Sequence, residues 1–350
     1  MNKMKTITEK VNVNDPETST VEKAGKIIRE GGLVAFPTET VYGLGADALQ
    51  SEAAAKIYRA KGRPSDNPLI IHIAELQDLD HIIRNIPDVT YNLAAKFWPG
   101  PLTMIFQKAD CVPNATTGGL DTVAVRMPAH NVALELIRQG GGYIAAPSAN
   151  TSGRPSPTQA AHVREDLDGR IDMILDGGTV GIGLESTIVD LSSKVPVILR
   201  PGAITKPMLE TVLGEVILDK GLTDTDSKVK PKAPGMKYKH YAPKAQLIII
   251  DGNTENVIKE IKRLAKNYQP EKIGIICTEE TKNEYSYGLI KSIGSRMHEE
   301  SIAKNLYAIL REFDQTGVEV IYSEAFETPK MGQAIMNRLL KAAGHQRIQV

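Results

Sequence analysis

Six short segments in the first 200 residues pair a tight turn with Lys, Arg, Ser or Thr, and most follow an apolar run of strand length. They are Pro37–Gly43, Lys61–Pro68, Thr122–Pro128, Ala146–Asn150, Glu185–Thr187 and Leu199–Gly202. A sheet with parallel strands opens its ligand crevice where strands end and helices begin. The pattern therefore predicts a fold that gathers hydroxyls and guanidinium groups at one end of a sheet. Their chemistry suits an anionic, polar ligand.

Apolar spacing supplies the elements between these turns. Leu33–Phe36, Pro68–Ile73, Leu102–Phe106, Thr122–Val125, Tyr143–Ala146, Met173–Leu175, Thr187–Leu191 and Val197–Leu199 read as strands. Helical spacing covers Thr20–Arg29, Ser51–Ala60 with Ser51 as N-cap, Tyr91–Phe97, Asn131–Arg138, Pro157–Leu167 with Thr158 as cap, and Pro207–Leu213. Strands and helices intermix, so the expected class is α/β or α+β with a mixed sheet. From Lys228 to Lys244 six lysines and three prolines occur without an acid, which is linker composition. Beyond it, strand and helix patterns alternate again, starting at Gln246. The expected organisation is a catalytic domain over 1–220, a basic linker over 221–243 that closes over the site, and a small α/β unit over 244–350.

Forty-two basic and 42 acidic residues leave a formal net charge of zero. Bulk electrostatics thus give no reason to expect nucleic acid or an anionic membrane as partner. The N-terminus, Met1–Pro16, has no apolar stretch of signal-peptide type, and no run approaches the length of a membrane helix. Cys111 and Cys277 stand alone and are expected as core thiols of a reduced, cytoplasmic protein. Gly43–Ala48 matches the dinucleotide pattern Gly-x-Gly-x-x-Ala, yet Pro37–Tyr42 separates it from its strand, and Asp66 lies in a loop before the second strand. Its glycines are expected to serve backbone geometry or close approach. Walker A, kinase, His-Glu-x-x-His and Gly-x-Ser-x-Gly motifs do not occur. A chain without a nucleophile signature points to a reaction driven by positioning and charge neutralisation, as in phosphoryl and nucleotidyl transfer.

Each segment also has an ordinary reading. Lys61 and Arg63 near a helix C-terminus can compensate its dipole. Ser148, Asn150, Ser186 and Thr187 are common turn and capping residues. His72, within an apolar strand, reads as a satisfied core histidine. Arg126 and Arg200 are harder to dismiss, because each ends an apolar run and a charge entering a core needs a partner. Met236–Tyr241 adds aromatic rings to the linker charge, which suits closure over an anion or contact with RNA.

Taken together, in order, these segments resemble the threonylcarbamoyl-AMP synthase family with its YrdC-like fold. The likeness spans residues 20–215 and rests on Lys61-x-Arg63, Ser148-x-Asn150, Pro37–Gly45, Phe97–Thr103 and Val125–Pro128. The linker and second unit resemble the long, two-domain form, whose C-terminal domain is a small Rossmann-like α/β unit. The resemblance implies formation of L-threonylcarbamoyladenylate, pyrophosphate and water from L-threonine, bicarbonate and ATP, for threonylcarbamoyladenosine modification of tRNA. It implies Lys61 and Arg63 as catalytic groups. It assigns Arg63, Asn67, Thr122, Ser148, Asn150, Ser156, Arg200 and Tyr238 to ATP. It assigns Thr38, Thr40, His72, Arg126, Ala146 and Ser186 to threonine. Mg²⁺ is expected with ATP, without dedicated protein ligands and without an organic cofactor. Expected partners are the small substrates, downstream tRNA-transfer proteins and at most weak tRNA contact. Two other readings stay open: a non-catalytic module binding tRNA or double-stranded RNA, and a carbamoyl transferase using carbamoyl phosphate.

Overall fold

The computed structural model describes residues 5–16, 18–222 and 240–350. The chain divides into two compact units. One holds most of residues 5–222; the other holds 240–350 with two short stretches, Gly153–Ser156 and Ile182–Leu184.

The first unit is built on an eleven-stranded mixed sheet. Its strands are β1 (Ile7–Lys10), β2 (Val34–Phe36), β3 (Gly43–Asp47), β4 (Ile70–His72), β5 (Leu102–Gln107), β6 (Thr122–Arg126), β7 (Ile144–Ala146), β8 (Met173–Asp176), β9 (Thr187–Asp190), β10 (Val197–Arg200) and β11 (Ile217–Leu218). Their spatial order is β1-β8-β2-β3-β7-β4-β6-β5-β9-β10-β11. The helices are α1 (Thr18–Arg29), α2 (Ser51–Lys61), α3 (Leu79–Ile82), α4 (Val89–Phe97), α5 (Asn114–Thr117), α6 (Asn131–Gln139), α7 (Ala160–Leu167) and α8 (Lys206–Leu213). One large core cluster includes Tyr42, Leu44, Ile57, Ile71, Met104 and Val125. A second joins Ile28 of α1 and Leu136 of α6 to Phe36 and Leu175. Each such large side chain contributes about 1.5–3 kcal/mol when fully buried.

Several expectations need correction. Gly43–Asp47, to which the spacing assigns no element, is a strand antiparallel to both β2 and β7. Gly45 is required there because a Cβ would lie 2.8 Å from Ile144 and 2.9 Å from Phe36. Glycine weakens the strand signal, which is why the sequence hides β3. Ser51 and Thr158 are not caps. Gln50 and Gln159 occupy the N-cap positions, and neither makes a side-chain cap bond. Cys111 is exposed in a turn, with Sγ 3.1 Å from the His81 carbonyl, while Cys277 is buried as expected.

The second unit is a five-stranded, all-parallel sheet, the α/β unit the alternation predicts and the Rossmann-like arrangement the resemblance implies. It consists of β12 (Gln246–Asp251), β13 (Ile273–Cys277), β14 (Leu289–Ser292), β15 (Val320–Glu324) and β16 (Arg347–Gln349), ordered β14-β13-β15-β12-β16. Its helices are α9 (Thr254–Ala265), α10 (Glu299–Phe313) and α11 (Gly332–Ala342). The chain leaves β12 toward β13 on one side and leaves β15 toward β16 on the other. The adjacent ends of β12 and β15 are thus a topological switch point, where ligands enter open α/β sheets.

Candidate active site

The end of the first sheet assembles the polar segments. His72 ends β4 and pairs in register with Arg126, which ends β6. Residues two apart share a sheet face, so His72 follows Ile70, and Arg126 follows Ala124 and Thr122. Ile70 and Ala124 belong to a small apolar cluster with Ile105, Ile188 and Leu199. That cluster is the floor beneath the site. Thr122 lies on the same face as Arg126, about 13 Å back along β6 at ordinary strand rise.

Arg126 is 4% exposed and held from three sides. Its Nε donates to the Gly100 carbonyl at 3.2 Å, and its Nη1 donates to Thr40 Oγ1 at 2.9 Å. Its Nη2 lies 2.7 Å from Glu39 Oε1. Thr40 Oγ1 is 2.9 Å from Thr38 Oγ1, and Thr38 donates to the Val41 carbonyl, which fixes the loop before β3. His72 is buried, with Nδ1 3.1 Å from the Ile70 carbonyl. Burial, and then the nearby Arg126 charge, lower its pKa to about 3. His72 is therefore a neutral ring at physiological pH and offers a hydrogen bond, not a charge.

Lys61 reaches the same region from the end of α2. Gly62 follows in the left-handed conformation at φ 60°, and its N–H closes the helix on Arg59 and Tyr58. Glycine suits this position because a Cβ penalises the left-handed region. The turn buries both Lys61 and Arg63. Lys61 Nζ donates to the carbonyls of Ser148 and Asn150, in the loop after β7. Ser148 Oγ donates to Asn150 Oδ1 at 2.6 Å. That loop is tied to β3 by Ala149 N–H to the Tyr42 carbonyl and by a bridge between Gly43 and Ser148. Arg63 donates to the Pro68 carbonyl at 3.1 Å and stacks 5.8 Å over the Tyr58 ring. Buried Asn67 has an Oδ1 with no hydrogen-bond partner among the described residues.

On the other flank, Arg200 Nε donates to the Ser186 carbonyl at 2.9 Å and Nη2 to Ser186 Oγ at 3.0 Å. Ser186 Oγ is 2.7 Å from Thr103 Oγ1. Gly100–Pro101 links the flanks, since Gly100 accepts from Arg126 and Pro101 accepts from the Thr187 N–H. Lys61, Ser148, Asn150, Thr38, Thr40, His72, Arg126, Ser186 and Arg200 thus belong to one linked constellation, with Ala146 at the end of β7. Arg63 and Asn67 occupy the loop leading from α2 into β4. Ser156 falls in the second compact unit, buried, and Tyr238 lies outside the described residues, as does most of the basic linker.

Glu39, Thr103 and His130 were not singled out from sequence, and Tyr58 was read only as part of the apolar face of its helix. Glu39 stood inside the Pro37–Gly43 motif, but an acid in a cation-rich pattern suggests no role until Arg126 is seen beside it. In the second unit, the switch point opens a crevice of about 140 Å³ lined by Asp251, Arg296, Glu324 and Glu327 among others. Its charges pair with one another or with Arg347.

Comparison with known proteins agrees with this architecture. The family described under telomere recombination, which groups Sua5, YciO and YrdC proteins, matches residues 26–202. The threonylcarbamoyl-AMP synthase C-terminal domain matches residues 204–344. The chain is 50% identical to the threonylcarbamoyl-AMP synthase of Bacillus subtilis over 97% of its own length and 96% of that protein. It is 41% identical to that of Schizosaccharomyces pombe, over 95% of this chain and 91% of the other. A crystal structure of Pyrococcus abyssi Sua5 complexed with L-threonine superimposes with a TM-score of 0.92 at 47% identity, covering 99% of this chain and 100% of that one. Among the described residues, no helix is long and apolar enough to cross a membrane. With both domain types present in order and near-complete overlap with named synthases, this chain is an enzyme of the transferase type and belongs to the threonylcarbamoyl-AMP synthase family.

Proposed function

We propose that the enzyme makes L-threonylcarbamoyladenylate from L-threonine, bicarbonate and ATP, releasing pyrophosphate and water. The observation that carries this reading is the row of buried cations and hydroxyls along one sheet end, from Lys61 through Arg126 to Arg200. A site of this kind stabilises charge by preorganisation and needs no protein nucleophile.

The amine of threonine and bicarbonate combine to a carbamate with loss of water. A carbamate oxygen then attacks the α-phosphorus of ATP, and pyrophosphate leaves. Arg126 receives the threonine carboxylate, with Thr38, Thr40, His72, Ala146 and Ser186 lining the amino-acid end. Neutral His72 suits this place, because a second cation beside Arg126 would cost more to bury. Lys61 and Arg63 neutralise the charge gathering at the α-phosphorus. Asn67, Thr122, Ser148, Asn150, Ser156, Arg200 and Tyr238 hold the nucleotide. Residues assigned to ATP are cations, hydroxyls and amides. They fit phosphate oxygens and leave Mg²⁺ to be carried by the nucleotide and water. The product serves threonylcarbamoyladenosine formation in tRNA, completed in the cytoplasm by separate transfer proteins.

The test is pyrophosphate release from ATP with bicarbonate, Mg²⁺ and each of the twenty amino acids, without tRNA. Release that requires both threonine and bicarbonate supports the reading. Release that ignores bicarbonate, or that another amino acid drives better, would replace it.

A further inference from the structure

We propose that Glu39 binds the ammonium group of the amino-acid substrate, so that Glu39 and Arg126 together form a zwitterion clamp. This rests on the assignment of Arg126 to the substrate carboxylate. Glu39 lies on the loop between β2 and β3, next to Thr40, and its side chain is 13% exposed. Both carboxylate oxygens are buried. Oε1 is 2.7 Å from Arg126 Nη2, yet neither atom has an aligned hydrogen bond, and Oε2 has no hydrogen-bond partner at all among the described residues.

A carboxylate present only to neutralise an arginine would be expected to take aligned, often bidentate N–H bonds. This one does not. The Arg126 donors at Nε and Nη1 are already used by Gly100 and Thr40, while Nη2 keeps its hydrogen-bonding capacity. The pair thus presents unused donors on Nη2 next to unused acceptors on Glu39. An α-amino acid carries the complement: an acceptor carboxylate and a donor ammonium one carbon apart. Buried polar groups without partners in a native fold call for such an explanation. A third one adjoins them. His130 Nδ1 is buried without a partner, and the Glu39 charge opposes the burial that lowers the His130 pKa. Nothing in the Lys61–Arg63 or Ser148–Asn150 segments offers a carboxylate for the amine, so Glu39 supplies what the cation-rich motifs lack.

The decisive measurement is calorimetric binding, to the full-length protein, of L-threonine and of 2,3-dihydroxybutanoate, which carries a hydroxyl in place of the amine. The wild type is expected to prefer threonine more than tenfold. Glu39→Gln should bring that preference close to one while changing affinity for the amine-free acid by only a few-fold. Glu39→Asp should retain part of the preference and keeps the test open if the Gln variant does not fold. Equal weakening of both ligands by Glu39→Gln would show that Glu39 only orients Arg126, and an intact preference would remove it from the site; either overturns the proposal. An Arg126→Ala protein that binds both ligands like the wild type would instead break the carboxylate assignment, a failure of the underlying reading that leaves a distinct signature.

Discussion

Both units bring charged side chains to the end of a sheet, and they differ in how the central buried carboxylate is satisfied. In the second unit, Glu324 is 1% exposed and fully engaged: Tyr285 donates to one oxygen at 2.9 Å and Arg296 to the other at 2.9 Å. Asp251 and Glu327 share Arg347. In the first unit, Glu39 and Arg126 are close without aligned bonds, and Asn67 keeps an unpartnered acceptor. A folded chain tolerates buried polar groups when they satisfy one another, and leaves capacity over where a ligand completes the set. By this criterion Glu324 is structural, while Asp251 Oδ2 and Arg296 Nε at the same crevice are buried without a hydrogen-bond partner among the described residues.

Substitutions can break or sharpen the contrast. The largest effect is expected from Arg126→Ala, which should lower kcat/KM for threonine by about 10³-fold or more, mainly through a raised threonine requirement, because its carboxylate partner is lost. A wild-type threonine dependence of pyrophosphate release would remove Arg126 from the amino-acid site. Next come Lys61→Ala and Arg63→Ala, each expected to cost about 10²–10³-fold in kcat by loss of charge stabilisation. Unchanged single-turnover rates would show that neither faces the reacting phosphorus. Glu324→Gln should do the reverse of these. It should destabilise the second unit by about 1–3 kcal/mol in denaturant unfolding, since it leaves Arg296 without its counter-charge, and it should spare kcat. A large loss of turnover with unchanged stability would turn the paired crevice into a functional one.

The pH response sharpens the same comparison. The folded-state pKa of His72 is lowered to about 3 against 6.5 for the free side chain. Between those values the unfolded chain binds a proton that the native chain refuses, so stability falls as pH drops from about 6.5 toward 3. His72→Gln should flatten that slope in the first unit and leave the second unit's unchanged, as read by unfolding monitored separately for each transition. The smallest effect is expected at Gly62. Its added Cβ would meet nothing within 4 Å, so Gly62→Ala should cost only the backbone strain of a left-handed alanine, about 1 kcal/mol in thermal unfolding.

Much of the fold was legible because apolar periodicity survives without tertiary context. The spacing of Ala53, Ala54, Ile57 and Tyr58 matches the buried face of α2, and the short apolar run Thr122–Val125 gave β6. What periodicity cannot carry was lost. Strand β3 carries no strand signal in its spacing, because its small residues answer to Phe36 and Ile144 from other strands. Edge strand β1, Ile7–Lys10, is mostly polar and is defined only by pairing with β8. The cap positions at Gln50 and Gln159 follow from where the preceding turns end, which no local preference announced.

For the site, the amino-acid sequence determined the chemical inventory: two cations around Gly62, a Ser-x-Asn loop, arginines at the ends of β6 and β10, and hydroxyls beside Glu39. Those identities favour charge neutralisation of an anionic substrate, because side-chain chemistry is local. Which of them share a surface was decided by the tertiary structure. The strand order β2-β3-β7-β4-β6-β5-β9-β10 places segments far apart in sequence on neighbouring strands, as where Leu102 pairs with Thr187, and only that topology sets Glu39 at 2.7 Å from Arg126. Sheet pairing is non-local, so the partner of a buried charge is fixed by topology rather than by its neighbours along the chain.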